Sequence, residues 1–204
     1  MCSSDLLLPQ RFFIAFWKRE PDEKSLWEKV KQFIQSRQWV IKVTPWTLAV
    51  LGVTILVIFF RASQLGSVPS QMISDQAEKL FDISDVMNGK LSIFFTRNTG
   101  REAFQFYWTA LINLVLGTGV SFMNLKIGTV LIGLLTLPYI YLLGKEFGNK
   151  RIGLLAVLFA GIAYWPNVIS RFGLRYPLYP LFTAPALYYL FRGLRTMRRN
   201  DFIF

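Results

Sequence analysis

Apolar and polar positions alternate along this chain in long blocks rather than in short periods. The first strong apolar block, Val43 to Phe60, runs 18 residues without a charge. As a helix it is long enough to cross a hydrocarbon core of roughly 30 Å. Trp39 and Trp46 stand at its start, where interfacial aromatics belong, and Arg61 ends it. Before it, residues 18 to 42 are polar and mixed in charge. There Ser25-Leu26-Trp27-Glu28 fits a helix capping box, and Leu26, Val30, Phe33, Ile34 and Arg37 follow helical spacing. The pattern predicts a short amphipathic helix, either on the membrane surface or as a solvated linker. Residues 61 to 103 are polar again, a loop of about forty residues that is too long to be structureless. Gln76 to Met87 is its best helix candidate. Phe104 to Leu116 is apolar but only 13 residues long before Gly117-Thr118-Gly119, which suits an interfacial or re-entrant helix. Leu125 to Leu143, Ile152 to about Trp165, and Leu178 to Phe191 are the remaining apolar runs. Pro180 and Pro185 predict a kink in the last.

Composition points to the same solvent. Of 204 residues 53% are hydrophobic, mean hydropathy is +0.38, and 19 residues are Phe. A bilayer accounts for this better than a soluble core does. The net charge of +11 comes from short basic clusters between apolar runs, a pattern of positive-inside membrane proteins and not of nucleic-acid partners. Cys2 is the single cysteine and histidine is missing. A Ser-His-Asp triad, a Cys-His pair and a histidine-based metal site are therefore excluded from this stretch. Met1-Cys2-Ser3-Ser4-Asp5-Leu6 reads like a translated sequencing adapter, and Asn200 to Phe204 stop as if a new segment were starting. Both suggest a truncated gene.

Charge chooses the topology. With Phe104–Leu116 resting in the outer interface, four spans remain, at about 43–60, 124–143, 152–168 and 177–192. The basic N-terminus, the Lys145 to Arg151 loop and the tail with Arg192, Arg195, Arg198 and Arg199 then all lie inside, as the positive-inside rule requires. The chain is read as an all-α, multi-pass protein of the cell membrane. Residues 1–42 form a cytoplasmic segment, and 43–204 belong to a membrane domain with an extracytoplasmic loop at 61–122. One outer loop breaks the bias: Arg171 and Arg175 lie there with no acid beside them. They either snorkel to outer-leaflet phosphates or clamp a phosphate of a ligand, which guanidinium suits by its bidentate geometry.

Three stretches then fall into a familiar order. They are Pro69 to Asp85 (PSQMISDQAEKLFDISD), Asn98 to Trp108 (NTGREAFQFYW) and Gly133 to Gly148 (GLLTLPYIYLLGKEFG). One span, a long outer loop with an early acidic motif, a second acidic motif before an aromatic juxtamembrane helix, and a short basic inner loop resemble the GT-C glycosyltransferases. The likeness is greatest to family 39, with its protein O-mannosyltransferases and aminoarabinose transferases, and covers roughly residues 45 to 200 as the N-terminal part of such an enzyme. The resemblance implies inverting transfer of a sugar from a polyisoprenyl-phosphate donor to a hydroxyl of an acceptor protein, lipid or glycan. It carries the family's first-loop catalytic Asp onto Asp75. The Glu that follows in the family is Gln76 here. Glu102 takes the place of a Glu near a bound divalent metal, whose identity stays unknown, and Ala103 replaces a frequent Pro. The family's second-loop Asp has no counterpart beside Arg171 and Arg175. The fragment alone is expected to be inactive.

The chemistry follows. The acceptor hydroxyl must lose a proton as it attacks, and a carboxylate within hydrogen-bond reach can take it, so Asp75 is the candidate base. The phosphate leaving group needs cations, for which Arg171, Arg175, Arg101 and Arg97 are the candidates and Lys79 a weaker one. Glu78, Asp82 and Asp85 share a helical face, expected to be solvated. Glu102 is either a metal ligand or an acid complementing the dipole of the next helix. Tyr107 and Trp108 are interfacial anchors or sugar-stacking platforms. The alternative class is a non-enzymatic lipid-sugar flippase or transporter. Such proteins place charges near the middle of their spans, and these apolar runs carry none there.

Overall fold

The computed structural model describes residues 31, 43–97 and 100–197. The amphipathic helix and capping box expected before residue 42, Trp39, and tail residues from 198 on lie outside them. The chain divides into two compact units, one of Val53–Pro185, the other of Met1–Gly52 with Ala186–Phe204. Among the described residues from 43 on there are seven α-helices and one two-stranded hairpin.

Helix α1 (Pro45–Ala62) opens on Thr44, whose Oγ1 accepts from Thr47 N at 3.2 Å, with Pro45 in the first position, where a missing N–H costs nothing. Within α1 only Val57 and Arg61 are buried, and Ile55, Ile58 and Phe59 are exposed. Helix α4 (Phe122–Phe147) is capped by Ser121, and helix α5 (Lys150–Ile162) by Asn149, whose Oδ1 accepts from Arg151 N and Ile152 N at 2.9 and 3.2 Å. Gly153 lets α4 and α5 approach closely, since a Cβ there would strike the Tyr141 carbonyl. Among the described residues two helices, α1 and α4, are long and apolar enough to cross a membrane.

The expected continuous span at 152–168 is in fact broken. Helix α6 (Tyr164–Arg171) turns away from α5 by 52° at Ala163. Pro166 has no N–H to offer just beyond the break, and Asn167 Nδ2 donates across it to the carbonyls of Gly161 and Ala163 at 2.8 and 2.9 Å. If that bent pair counts as one span the total is three. Helix α7 (Leu178–Thr196) is long enough but not apolar enough, diluted by Pro180, Pro185, its tyrosines, Arg192 and Arg195.

The segment between α1 and α4 is built. Helix α2 (Ser74–Met87) packs Ile83 and Val86 against Phe95, Phe106, Ala110 and Leu125. Strands β1 (Phe94–Phe95) and β2 (Arg101–Glu102) pair antiparallel, with Phe95 opposite Arg101. The Phe95 ring meets Phe106 of α3 (Phe104–Leu116) edge-on at 4.9 Å. Helix α3 spans the 13 residues of its apolar run and ends on Gly117 at φ 64°, a left-handed cap. Asn124 Nδ2 then bridges Asn113 Oδ1, Thr118 Oγ1 and the Gly119 carbonyl at 2.7–2.8 Å, which fixes the turn into α4. Lys126, one residue into the next apolar run, reaches back to the carbonyls of Leu65 and Pro69 and holds the loop before α2.

Candidate functional site

Asp75 stands in the first turn of α2, where a helix N-terminus favours an acid. The turn is tightened by Gln76, whose Oε1 accepts from Ile73 N at 2.9 Å and whose Nε2 donates to the Phe172 carbonyl. The residue that departs from the acidic pair is thus a fully buried strut. Arg101, carried across the hairpin on β2, donates to Asp75 Oδ1 and, at 3.3 Å, to the Asp75 carbonyl. Lys79, one turn further along α2, sits 3.2 Å from Asp75 Oδ2 and donates to the Gly173 carbonyl at 3.3 Å. Gln105 of α3 donates to that same carbonyl at 2.9 Å. Three side chains from α2 and α3 therefore pin the turn after α6, and the pinned turn presents Arg175.

The result is a polar pocket of about 180 Å³ lined by Asp75, Lys79, Gly100, Arg101, Arg175 and Tyr176, with Leu174. One acid and three cations meet there. Lys79 is 2% exposed, and burial pushes its ammonium below the usual lysine range. Asp75 opposes that shift, while the charges of Arg101 and Arg175 add to it.

The other expected site residues are distributed differently. Arg175 Nη1 lies 3.0 Å from Glu102 Oε2 at the edge of this pocket. Arg171 points elsewhere: its Nη2 donates to the Phe60 carbonyl in the last turn of α1, and its Nε is buried without a partner. The two arginines serve two places because Arg171 ends α6 while Arg175 follows the turn at Phe172–Gly173. Arg97 bridges Asp82 Oδ1 and Asp85 Oδ2 at 2.6 and 2.7 Å, and so fastens β1 to α2. Asp82, expected on a solvated face, is 1% exposed. That face is covered by the hairpin, a non-local pairing. Arg97 and then Lys90, by hydrogen bonds, hold the Asp85 carboxyl below the usual carboxylate range.

Glu102 ends on β2, before α3, with Arg175 as its partner, and is 74% exposed. Among the described residues no group of three acids or cysteines converges on a metal-sized site. Glu102 has Arg175 as its ion-pair partner there. Tyr107 donates to the Ser92 carbonyl at 2.9 Å and Trp108 Nε1 to the Gly128 carbonyl at 3.0 Å, so both fasten neighbouring segments.

Gln105, Gly173 and Tyr176 were not singled out from sequence, and Gln76 was noted only as a departure from an acidic pair. A signal existed for Lys79, four residues after Asp75 on one helix face. For Gly173 the cue was a glycine in a short polar stretch between apolar runs, and its φ of +68° shows why glycine stands there. Comparison with family models, with curated proteins and with solved structures gave no match.

Proposed function

We propose that this chain is the N-terminal part of a GT-C-type glycosyltransferase resembling family 39, moving a sugar from a polyisoprenyl-phosphate donor to an acceptor hydroxyl on the extracytoplasmic side. The observation that carries the reading is the convergence of Asp75 with Lys79, Arg101 and Arg175 on one polar pocket. Transfer needs a carboxylate for the acceptor proton and cations for the departing phosphate. In this reading the acceptor oxygen forms a bond to the anomeric carbon. The bond from that carbon to the phosphate oxygen breaks, and the acceptor proton passes to Asp75. Arg101 and Lys79 orient the carboxylate. Arg175, 40% exposed at the pocket edge, takes the phosphate with Arg101. Arg97 is assigned to the scaffold and Arg171 to the end of α1.

The proposed topology keeps four spans, with the α5–α6 pair as the bent third and α7 as the fourth. The segment 61–122 faces out, α3 rests in the outer interface, and the N-terminus and the turn between α4 and α5, with the basic residues Lys145, Lys150 and Arg151 at its flanks, lie inside. The test is transfer from a panel of labelled polyprenyl-phosphate sugars by membranes carrying the full-length protein or its Asp75→Asn variant. The reading expects transfer by the first and a loss of about 10²–10⁴-fold in the second at equal expression. Equal rates would remove Asp75 as base. Movement of donor across the bilayer without transfer would reassign the protein to a flippase.

A further inference from the structure

The last turn of α1 buries a guanidinium that the Asp75 pocket does not use. Arg61 is 4% exposed. Its hydrogen bond from Nη2 to the Ala160 carbonyl, 3.3 Å, is the one it makes among the described residues. Its Nε is buried with no partner. No described carboxylate stands within 4.0 Å of it. Gly133 of α4 makes room for the group, since a Cβ there would run into Nη1. A guanidinium carries five N–H donors, and a charge taken out of water without a counter-charge is costly. The Ala160 carbonyl, in the last turn of α5, offsets a part of that cost.

Arg61 opens onto a cavity of about 230 Å³ whose other walls are mainly apolar, with Ile140, Ile169 and three prolines against Thr136 as the second polar group. The cavity has room for a phosphate and the first methylenes of a chain. Trp165 and Tyr176 line it while remaining 67% and 52% exposed, and amphipathic aromatics of this kind sit at headgroup depth. The neighbouring flank of α1 exposes Ile55, Ile58 and Phe59, a surface suited to an alkyl chain. A buried cation, apolar walls and an aromatic rim together describe a receptor for an anionic amphiphile.

The geometry points to a second site, distinct from the Asp75 pocket, that binds the phosphate of an anionic membrane phospholipid on Arg61 with the start of its acyl chain against Ile140 and Ile169. Tyr176 lines both cavities and stands between them. This site does not depend on the transferase reading.

The test is thermal unfolding of the purified chain in neutral detergent, with native mass spectrometry of bound lipid. The additives are phosphatidylglycerol, phosphatidylcholine, inorganic phosphate and farnesyl phosphate. Phosphatidylglycerol is expected to stabilise the wild type and remain bound. Its affinity should fall at least about tenfold in Arg61→Met, as loss of charge-assisted hydrogen bonds implies. Ile169→Trp fills the cavity without touching Arg61 and is expected to lose the effect too, which keeps the test decisive if Arg61→Met fails to fold. Arg175→Gln is expected to retain it. Equal stabilisation by phosphatidylcholine, or retention by Ile169→Trp, would overturn the site. Inorganic phosphate acting alone would make it a free-anion site, and farnesyl phosphate binding more tightly than phosphatidylglycerol, with that binding lost in Arg61→Met and kept in Arg175→Gln, would overturn the phospholipid assignment.

Discussion

Replacing Gly173 by alanine is expected to destabilise the chain by about 2–4 kcal/mol, the joint effect of a left-handed backbone and an overfilled core. The backbone there has φ +68°. A Cβ built on it would stand 2.8 Å from Leu125 Cγ and 3.0 Å from Cδ2. Leu125 is fully buried in the cluster under α2 and α3, so it has little room to yield. The consequence reaches the site, because the Gly173 carbonyl receives both Lys79 and Gln105. Moving it pulls the turn, and Arg175 with it, off the pocket. The assay is denaturant unfolding in mild micelles followed by tryptophan fluorescence, on Gly173→Ala, Leu125→Ala and the double variant. Leu125→Ala alone costs about 2–5 kcal/mol by leaving a cavity. It also vacates the space the new methyl needs, so the double variant falls short of additivity by about 1 kcal/mol or more. A Gly173→Ala protein within about 0.5 kcal/mol of wild type, or strict additivity, would refute the reasoning.

Two further predictions concern pH. Burial lowers Lys79 in the folded chain. The unfolded chain therefore binds more protons between that lowered value and about 10.4, and stability rises with pH through this window. Lys79→Met flattens the rise, which melting curves from pH 7 upward check, and equal slopes in both proteins contradict it. Asp85 is lowered by Arg97 and Lys90, so its contribution is complete above about 3.9 and disappears as pH falls through the lowered value. Asp85→Asn removes that part of the acid sensitivity, read as a shallower loss of melting temperature below pH 4.

What the sequence disclosed follows from the range of the interactions involved. Helix α3 is delimited by a local signal, an apolar run stopped by Gly117, and its observed ends match. Helix α2 begins two residues before the expected Gln76 because Gln76 is the strut of its first turn and not its start. The break at Ala163 had Pro166 as its sign, but a proline in an apolar run predicts a kink without fixing its size. The pairs Arg97–Asp82 and Arg101–Asp75 join residues 15 and 26 apart through the hairpin, and no periodicity reports such a contact. For the same reason Asp82 read as solvated and is buried. Arg171 and Arg175 looked like a pair because they are neighbours in sequence. The Phe172–Gly173 turn sends them to opposite places, and its geometry is visible only through one glycine.

The account requires that the Asp75 pocket open on the face of the bilayer opposite the turn that joins α4 to α5. The direct measurement uses single cysteines at Asn88 and Lys150, both exposed, in a Cys2→Ser background, labelled on intact cells with a membrane-impermeant thiol reagent. The account predicts that Asn88→Cys reacts from outside and Lys150→Cys reacts only after permeabilisation. Labelling of Lys150→Cys from outside with Asn88→Cys protected would place the pocket in the wrong compartment and contradict it.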